Sequence, residues 1–324
     1  MEEGEAMKTV AMVLYRDVLM LDVAGPLEVF SIANRYLPED QRYRLLTLSE
    51  DGEMIRASCG LGLQADLRLE QMPAGVDLLL VPGGPGAYSG ENHALRAWLP
   101  AAARRAKRYG AICTGAFLLG EAGLLDGYRC TTHWNYLERL ASRFPATRVE
   151  PEQVYVIDRN LISSGGITAG IDMALAVLAE DHDKEVALEV AKVLLVVMKR
   201  QGGQTPYAPL LAAVVRDGSA IARVQAYVVD HIEEAFTVGR MAELAAMSPR
   251  NFSRAFQREL KLTPMQYVQN ARIDHARKLL ESSDLPLKVI ACRSGLGSAR
   301  HLRTLFSERI GMTPSQYRLQ FGCG

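Results

Sequence analysis

Cys113 lies in the stretch YGAICTGAFLLGEAGLLDGY (residues 109–128), where a short apolar run ends at the thiol and Thr114-Gly115-Ala116 opens an apolar helix. A cysteine on a sharp strand-to-helix turn is where hydrolase folds hold a nucleophile. Such a thiol needs a cation or an amide cluster to lower its pKa before it becomes a useful nucleophile or redox sensor. Three other stretches offer groups for that chemistry. VPGGPGA (Val81–Ala87) follows a strand and is expected to turn backbone amides toward a pocket. LDVAGPLEVF (Leu21–Phe30) places Asp22 and Glu28 near the end of the first strand and the start of its helix, where either carboxylate could hold or share a proton with Cys113. CTTHW (Cys130–Trp134) brings His133 twenty residues after the cysteine, although taken alone His133 reads as packed beside Trp134.

These residues need a scaffold that brings strand ends together. Lys8–Tyr15, Tyr43–Ser49, Val76–Gly84, Tyr109–Cys113 and Leu161–Gly166 read as short apolar strands. Helical stretches such as Pro26–Tyr36, Ala94–Tyr109 and Ala116–Ala122 lie between them. Strands spaced by helices predict a doubly wound, mostly parallel sheet covered on both faces, with its site at the C-terminal strand ends. A helical run follows from Ile171 to Arg200, then QGGQTPYAPLL, whose Gly, Gln and Pro stop the helix. The expected organisation is an α/β domain over 8–200, a linker over 201–218 and an all-α domain over 219–324.

The all-α region repeats itself. PRNFSRAFQRELKLTPMQY (249–267) aligns with ARHLRTLFSERIGMTPSQY (299–317) at an offset of 50. MAELAAM (241–247) aligns with IACRSGL (290–296) at an offset of 49. Each copy predicts a helix, a tight turn and a second helix, over about 237–258 and 287–308. Met241, Ala242 and Ala245, and Ile290, Ala291 and Gly295, are placed where the two helices of a copy cross closely. The second helices keep Phe252 and Phe256, or Leu302 and Phe306, inside. They turn Arg250, Asn251, Ser253, Arg254 and Gln257, or Ser298, Arg300, His301, Arg303 and Thr304, toward phosphates and base edges. A long helix through ARIDHARKLLE would hold the copies at a separation suited to major grooves about 34 Å apart.

Charge distribution agrees with a polyanion partner. The formal net charge is zero, yet residues 219–324 carry 15 Lys+Arg against 9 Asp+Glu, and the remainder 22 against 28. The five cysteines show neither CxxC nor Cys/His metal spacing, so no disulfide, metal or cofactor is expected. No apolar run reaches the roughly 18 residues of a membrane span, and MEEGEAMKTV lacks a signal-peptide core; a soluble, cytoplasmic protein is expected.

Two resemblances follow from these motifs. RIDHARKLLESSDLPLKVIACRSGLGSARHLRTLFSERIGMTPSQYR is similar to the signature of the AraC/XylS transcription regulators, with Leu296 and Leu302 where Phe is commoner. It implies sequence-specific binding of double-stranded DNA through residues 249–258 and 299–307. LDVAGPLEVF, LLLVPGG, ICTGAFLLGEAGLLDGYRCTTHW and SSGGITAGIDMAL resemble the DJ-1/PfpI superfamily, in its amidotransferase-like, GlxA-like branch fused to AraC-type domains. That resemblance implies a flavodoxin-like fold, a homodimer through this domain, and a small-molecule effector, such as a nitrogenous metabolite. Carried over by position, Cys113 is the elbow cysteine, Glu28 its carboxylate partner, Gly83 and Gly84 the facing glycines, and His133 similar to a histidine of some superfamily enzymes. Thr114 follows the cysteine where the protease-like branch has His, which argues against peptidase chemistry. Asp22, Cys113 and Thr114 instead look like the set used by isonitrile hydratases. Three readings stay open: a ligand-sensing regulator, a cysteine-dependent enzyme acting on a small nitrogen compound, and a Cys113 redox sensor.

Overall fold

The computed structural model describes residues 7–88, 91–196, 204 and 219–322. The chain divides into two compact units, residues 1–200 and 201–324. Apart from Gln204, the expected linker over 201–218 lies outside the described residues, as do residues 1–6.

Among the described residues of the first unit, β1 (Lys8–Val13), β2 (Tyr43–Ser49), β3 (Met54–Arg56), β4 (Gly62–Gln64), β5 (Leu67–Arg68), β6 (Leu78–Val81), β7 (Arg108–Ile112), β8 (Arg129–Cys130), β9 (Arg148–Val149), β10 (Tyr155–Asp158) and β11 (Leu161–Ser164) are interspersed with six α-helices. The helices are α1 (Met20–Ala33), α2 (His93–Arg105), α3 (Gly115–Glu121), α4 (Leu137–Arg143), α5 (Thr168–Asp181) and α6 (Lys184–Val193). Seven strands form one sheet in the order β10-β11-β7-β6-β1-β2-β5. Every pairing in it is parallel except the β10–β11 edge hairpin. The central strands are apolar where they are buried, over Val10–Val13, Leu78–Val81 and Ala111–Ile112, as a sheet covered on both faces requires. Their C-terminal ends converge on Tyr15, Pro82 and Cys113.

Helix boundaries differ from the sequence reading in three places; the helix read over Ala94–Tyr109 ends at Arg105, where the chain turns into β7. α1 begins at Met20, six residues before Pro26, which lies inside it. A proline there removes a backbone hydrogen bond, but close packing of α1 on α5 compensates: a Cβ on Gly25 would be 3.0 Å from Ile171 Cγ1, and one on Gly170 would be 3.3 Å from Pro26 Cγ. The run from Ile171 breaks at His182, because Asp183 caps a new helix by accepting the Val186 N–H at 2.8 Å.

The second unit is helical in its described residues: α7 (Ala220–Asp230), α8 (Val238–Leu244), α9 (Pro249–Leu260), α10 (Pro264–Ser282), α11 (Leu287–Arg293), α12 (Ala299–Ile310) and α13 (Pro314–Phe321). The internal repeat appears as repeated physics. Thr263 and Gln266 form a capping box on α10, and Thr313 and Gln316 the same box on α13. Phe256 meets Tyr267 edge-on at 5.5 Å, and Phe306 meets Tyr317 edge-on at 5.3 Å. The turn residue matching Gly295 (φ 66°) is Ala246 (φ 53°), not Ala245. Ala245 corresponds instead to Ser294, and both are buried in the crossing between helices.

Candidate functional site

Cys113 follows β7 directly and has φ 54°, in the left-handed region that a residue with a side chain rarely occupies. The turn is held from both sides. The Cys113 N–H donates to the Ser164 carbonyl at 3.0 Å, and the Thr132 hydroxyl donates to the Cys113 carbonyl at 2.7 Å. Two glycines make room for the side chain. A Cβ on Gly166 would lie 2.7 Å from Sγ, and one on Gly83 would lie 2.7 Å from both Cys113 Cβ and Asp22 Oδ2.

Asp22, in the first turn of α1, is the carboxylate beside the thiol. It is fully buried; Oδ2 accepts the Gly83 N–H at 3.0 Å and Oδ1 the Ile167 N–H at 2.9 Å, beside Cys113. Burial pushes Asp22 up to about 6, against the opposing pull of the two amides and the thiol. Burial, then the nearby Asp22 charge, pushes the Cys113 thiol up to about 12, with Thr114 opposing. At neutral pH the sulfur therefore keeps its proton, the reverse of an activated nucleophile.

Two expectations need correction. Glu28 is six residues beyond Asp22 on α1, well round the helix from it, and is exposed to solvent, so it is not the partner of Cys113. The loop amides of Gly83 and Gly84 are already engaged. Gly83 N–H is held by Asp22, and Gly84 N–H donates to Thr114 Oγ1 at 2.9 Å. These glycines serve close packing and do not offer free donors to a ligand. His133 has its ring 5.3 Å from that of Trp134, and Nδ1 accepts the Asn135 N–H at 3.3 Å. Burial lowers its pKa. The residue of this segment that reaches Cys113 is Thr132.

Sequence reasoning missed an aromatic wall. Tyr15 donates its hydroxyl to the Pro82 carbonyl at 2.6 Å, and its pKa is raised by burial first, then by Asp22, Cys113 and Tyr88. The Tyr88 and Tyr136 hydroxyls are 3.2 Å apart, and this hydrogen bond, with burial, raises the Tyr136 pKa. Tyr15 stands just past the end of β1, a position where α/β sheets place site residues, and that was the available signal. A cavity of about 580 Å³ lined by Tyr15, Asp17, Glu50, Arg56 and Glu91 shares Tyr15 with this site, but includes none of Asp22, Cys113 and Thr114.

In the helical unit, Arg250, Asn251, Arg254 and Gln257 are exposed on α9, and Arg300, His301, Arg303 and Thr304 on α12. Ser248 and Ser298 cap these helices, accepting the N–H of Asn251 at 3.4 Å and of His301 at 3.1 Å. Arg250 and Arg300 thus stand in the first turn of their helices, the part a recognition helix lays against base edges. Ser253 is half-buried and donates its hydroxyl to the Pro249 carbonyl at 2.9 Å, which spends its only proton within the helix. His301 Nδ1 lies 3.1 Å from the Leu296 carbonyl, leaving Nε2 for a partner. Arg258, not among the residues singled out from sequence, joins Asn251, Arg254 and Gln257 around a shallow polar concavity. Among the described residues, no helix is long and apolar enough to cross a membrane and no His, Cys, Asp or Glu cluster could hold a metal ion.

Comparison with known proteins follows this division. Residues 8–180 match the DJ-1/PfpI family and residues 241–320 a helix-turn-helix domain. The chain is 32% identical over 304 residues to the HTH-type transcriptional regulator CdhR of Pseudomonas aeruginosa, covering 92% of this chain and 88% of that one. It is 35% identical over 173 residues to an isonitrile hydratase of Pseudomonas putida, covering 53% of this chain and 71% of the enzyme. Among solved structures, a THiJ/PfpI family protein from Pseudomonas syringae superposes with a TM-score of 0.53 at 24% identity, over 75% of this chain and 90% of that one, a likeness of fold. The chain belongs to the DJ-1/PfpI family and carries after that domain a helix-turn-helix domain of the AraC type.

Proposed function

We propose that this protein is a transcription regulator whose helical domain, residues 219–324, binds two adjacent major grooves of double-stranded operator DNA. Its α/β domain, residues 8–200, senses a small, nitrogenous metabolite at the Cys113 site, with residues 201–218 as the linker. The observation that carries this reading is the pair of helix-turn-helix motifs with matching caps and cores, each exposing arginine in the first turn of its second helix. The likeness to CdhR, a named transcriptional regulator, supports it over most of the chain. A homodimer through the α/β domain would set four recognition helices on a repeated or palindromic operator. The cytoplasm is the compartment such a regulator requires.

Gel-shift titration of the full-length chain against the promoter regions flanking its own gene, over a range of salt, tests the DNA-binding reading. Preference over random duplex with a steep salt slope is the expected result, and Arg250→Ala or Arg300→Ala should weaken binding and lower the slope by about one. Equal binding to random duplex would refute it.

A second reading, turnover of a small nitrogen compound, is favoured by the likeness to isonitrile hydratase and by Asp22, Cys113 and Thr114 standing together. The protonated thiol and the engaged Gly83 and Gly84 amides weigh against it, and against peroxide sensing by thiolate oxidation. Cys113→Ser separates the three: sensing without turnover leaves ligand response in place, whereas catalysis or oxidation at sulfur is abolished.

A further inference from the structure

The helical unit has two hydrophobic cores, and both rest on α10. Tyr267, Val268 and Ala271 belong to the first core, with Phe252 and Phe256. Ile273, Ala276 and Leu280 belong to the second, with Leu302 and Phe306. Arg272 falls between the two sets, and its half-buried side chain turns back toward the first motif. Nε donates to the Ile232 carbonyl at 3.3 Å and Nη2 to the Glu234 carbonyl at 2.6 Å, both in the connection between α7 and α8. The second motif arrives at the same place. Gly295, the left-handed residue of its turn, sits so close that a Cβ there would lie 2.7 Å from Arg272 Nε and would collide with the Ile232 carbonyl oxygen.

We propose that Arg272 is a positioning residue for DNA recognition: it locks the 231–237 connection of the first motif against the turn of the second, so that α9 and α12 meet DNA at one fixed spacing and angle. This rests on the reading that both motifs contact DNA. Two cores that share only a helix can twist about it, and long helices flex. A relative rotation of about 10° at a lever arm of about 15 Å moves a recognition helix by roughly 2.6 Å, far more than the few tenths of an ångström a hydrogen bond tolerates. The gain from engaging a second groove depends on the effective concentration of the second reader there, and looseness reduces it. Because Nε and Nη2 are held by backbone carbonyls, Arg272 acts on DNA recognition through the geometry that it fixes.

The test uses the full-length chain and a duplex that the wild type selects from a random library, with its two contacted segments mapped by footprinting. Wild type, Arg272→Ala, Arg272→Lys and Gly295→Ala are titrated on that duplex, on one with the second segment scrambled, and on one with a base pair inserted between the segments, a shift of about 3.4 Å. For Arg272→Ala the expected result is about a tenfold or greater loss on the intact duplex, binding to the scrambled duplex unchanged within about twofold, and a weaker preference for native spacing. Gly295→Ala, which leaves Arg272 in place but forces the turn off the carbonyl, should show the same split, so the outcome stands even where Arg272→Ala does not fold. Equal losses on intact and scrambled duplexes with a reduced salt slope would identify a phosphate contact and overturn the clamp. Retained spacing preference in both variants would overturn it as well, leaving two-groove binding intact. A wild type that binds intact and scrambled duplexes equally removes the two-groove reading and the clamp with it.

Discussion

The chemistry of Cys113 turns on one quantity, its thiolate population. Burial and the Asp22 carboxylate raise this thiol from the ordinary 9.0 to about 12. At pH 8 an ordinary thiol is about one-tenth ionised and this one about one part in ten thousand, so alkylation through the thiolate should be about a thousandfold slower. Cys59 and Cys292 are exposed and free, and serve as standards within the same molecule. Iodoacetamide labelling, followed peptide by peptide by mass spectrometry between pH 6 and 10, provides the assay. Cys113 should label far more slowly than the exposed Cys59, its rate rising about tenfold per pH unit with no plateau by pH 10. Burial also restricts access, and the profile separates the two effects: blocked access lowers the rate at every pH without moving the plateau. Asp22→Asn removes the neighbouring charge and should speed labelling of Cys113 without altering Cys59. A plateau for Cys113 below pH 9, or a rate matching Cys59, would refute the protonated-thiol argument and favour catalysis or redox sensing.

Further outcomes follow from single groups. Asp22 is raised from 3.8 to about 6 in the folded chain, so its contribution to stability is fully present below about pH 4 and is lost as pH rises through 6. Two pH units correspond to roughly 3 kcal/mol, and urea unfolding of the α/β domain across pH 4–7 should show a decline of that order that Asp22→Asn abolishes; an unchanged slope in the variant would exclude Asp22 as its source. In the second helix-turn-helix, Ser294 is fully buried with its hydroxyl unpartnered. Ser294→Ala should be neutral or stabilising by up to about 1 kcal/mol in chemical denaturation, and a clear loss would show that the hydroxyl is bonded.

The sheet was legible because its strands are buried on both faces and so read as continuous apolar runs. β3, β4, β5, β8, β9 and the edge strand β10 are not legible: two to four residues long and partly exposed, they carry too few side chains to show a period. The residues alone leave Asp22 and Glu28 open, and the resemblance points to Glu28; helix geometry decides between them, because α1 begins at Met20, its first turn holds Asp22, and Glu28 is rotated out to solvent. The occupied loop amides were beyond sequence altogether, since Gly83 meets Asp22 across 61 residues and Gly84 meets Thr114 across 30. In the helical domain the repeat made both motifs visible, while the internal hydrogen bond that spends the Ser253 proton depends on a rotamer no pattern reveals.

Where the two copies of the repeat differ, the difference has a physical cause. Both turns need a residue in the left-handed region, a conformation costing a residue with a Cβ about 1–2 kcal/mol. Ala246 bears that cost at an exposed turn in the first copy. Gly295 avoids it in the second, where a Cβ would also strike the Ile232 carbonyl and crowd Arg272. Glycine is thus demanded at the copy whose turn abuts its neighbour, and the departure from the repeat marks the contact between motifs. The recognition faces differ too. α9 offers Arg250, Asn251, Arg254 and Gln257, whereas α12 offers Arg300, His301, Arg303 and Thr304. Asn and Gln pair two-pronged with adenine while Arg pairs with guanine, so, if one protomer engages two grooves as proposed, those grooves should carry different sequences in a fixed order. An operator for this chain is then directional within each protomer's footprint, and any palindrome in it arises only from a second copy.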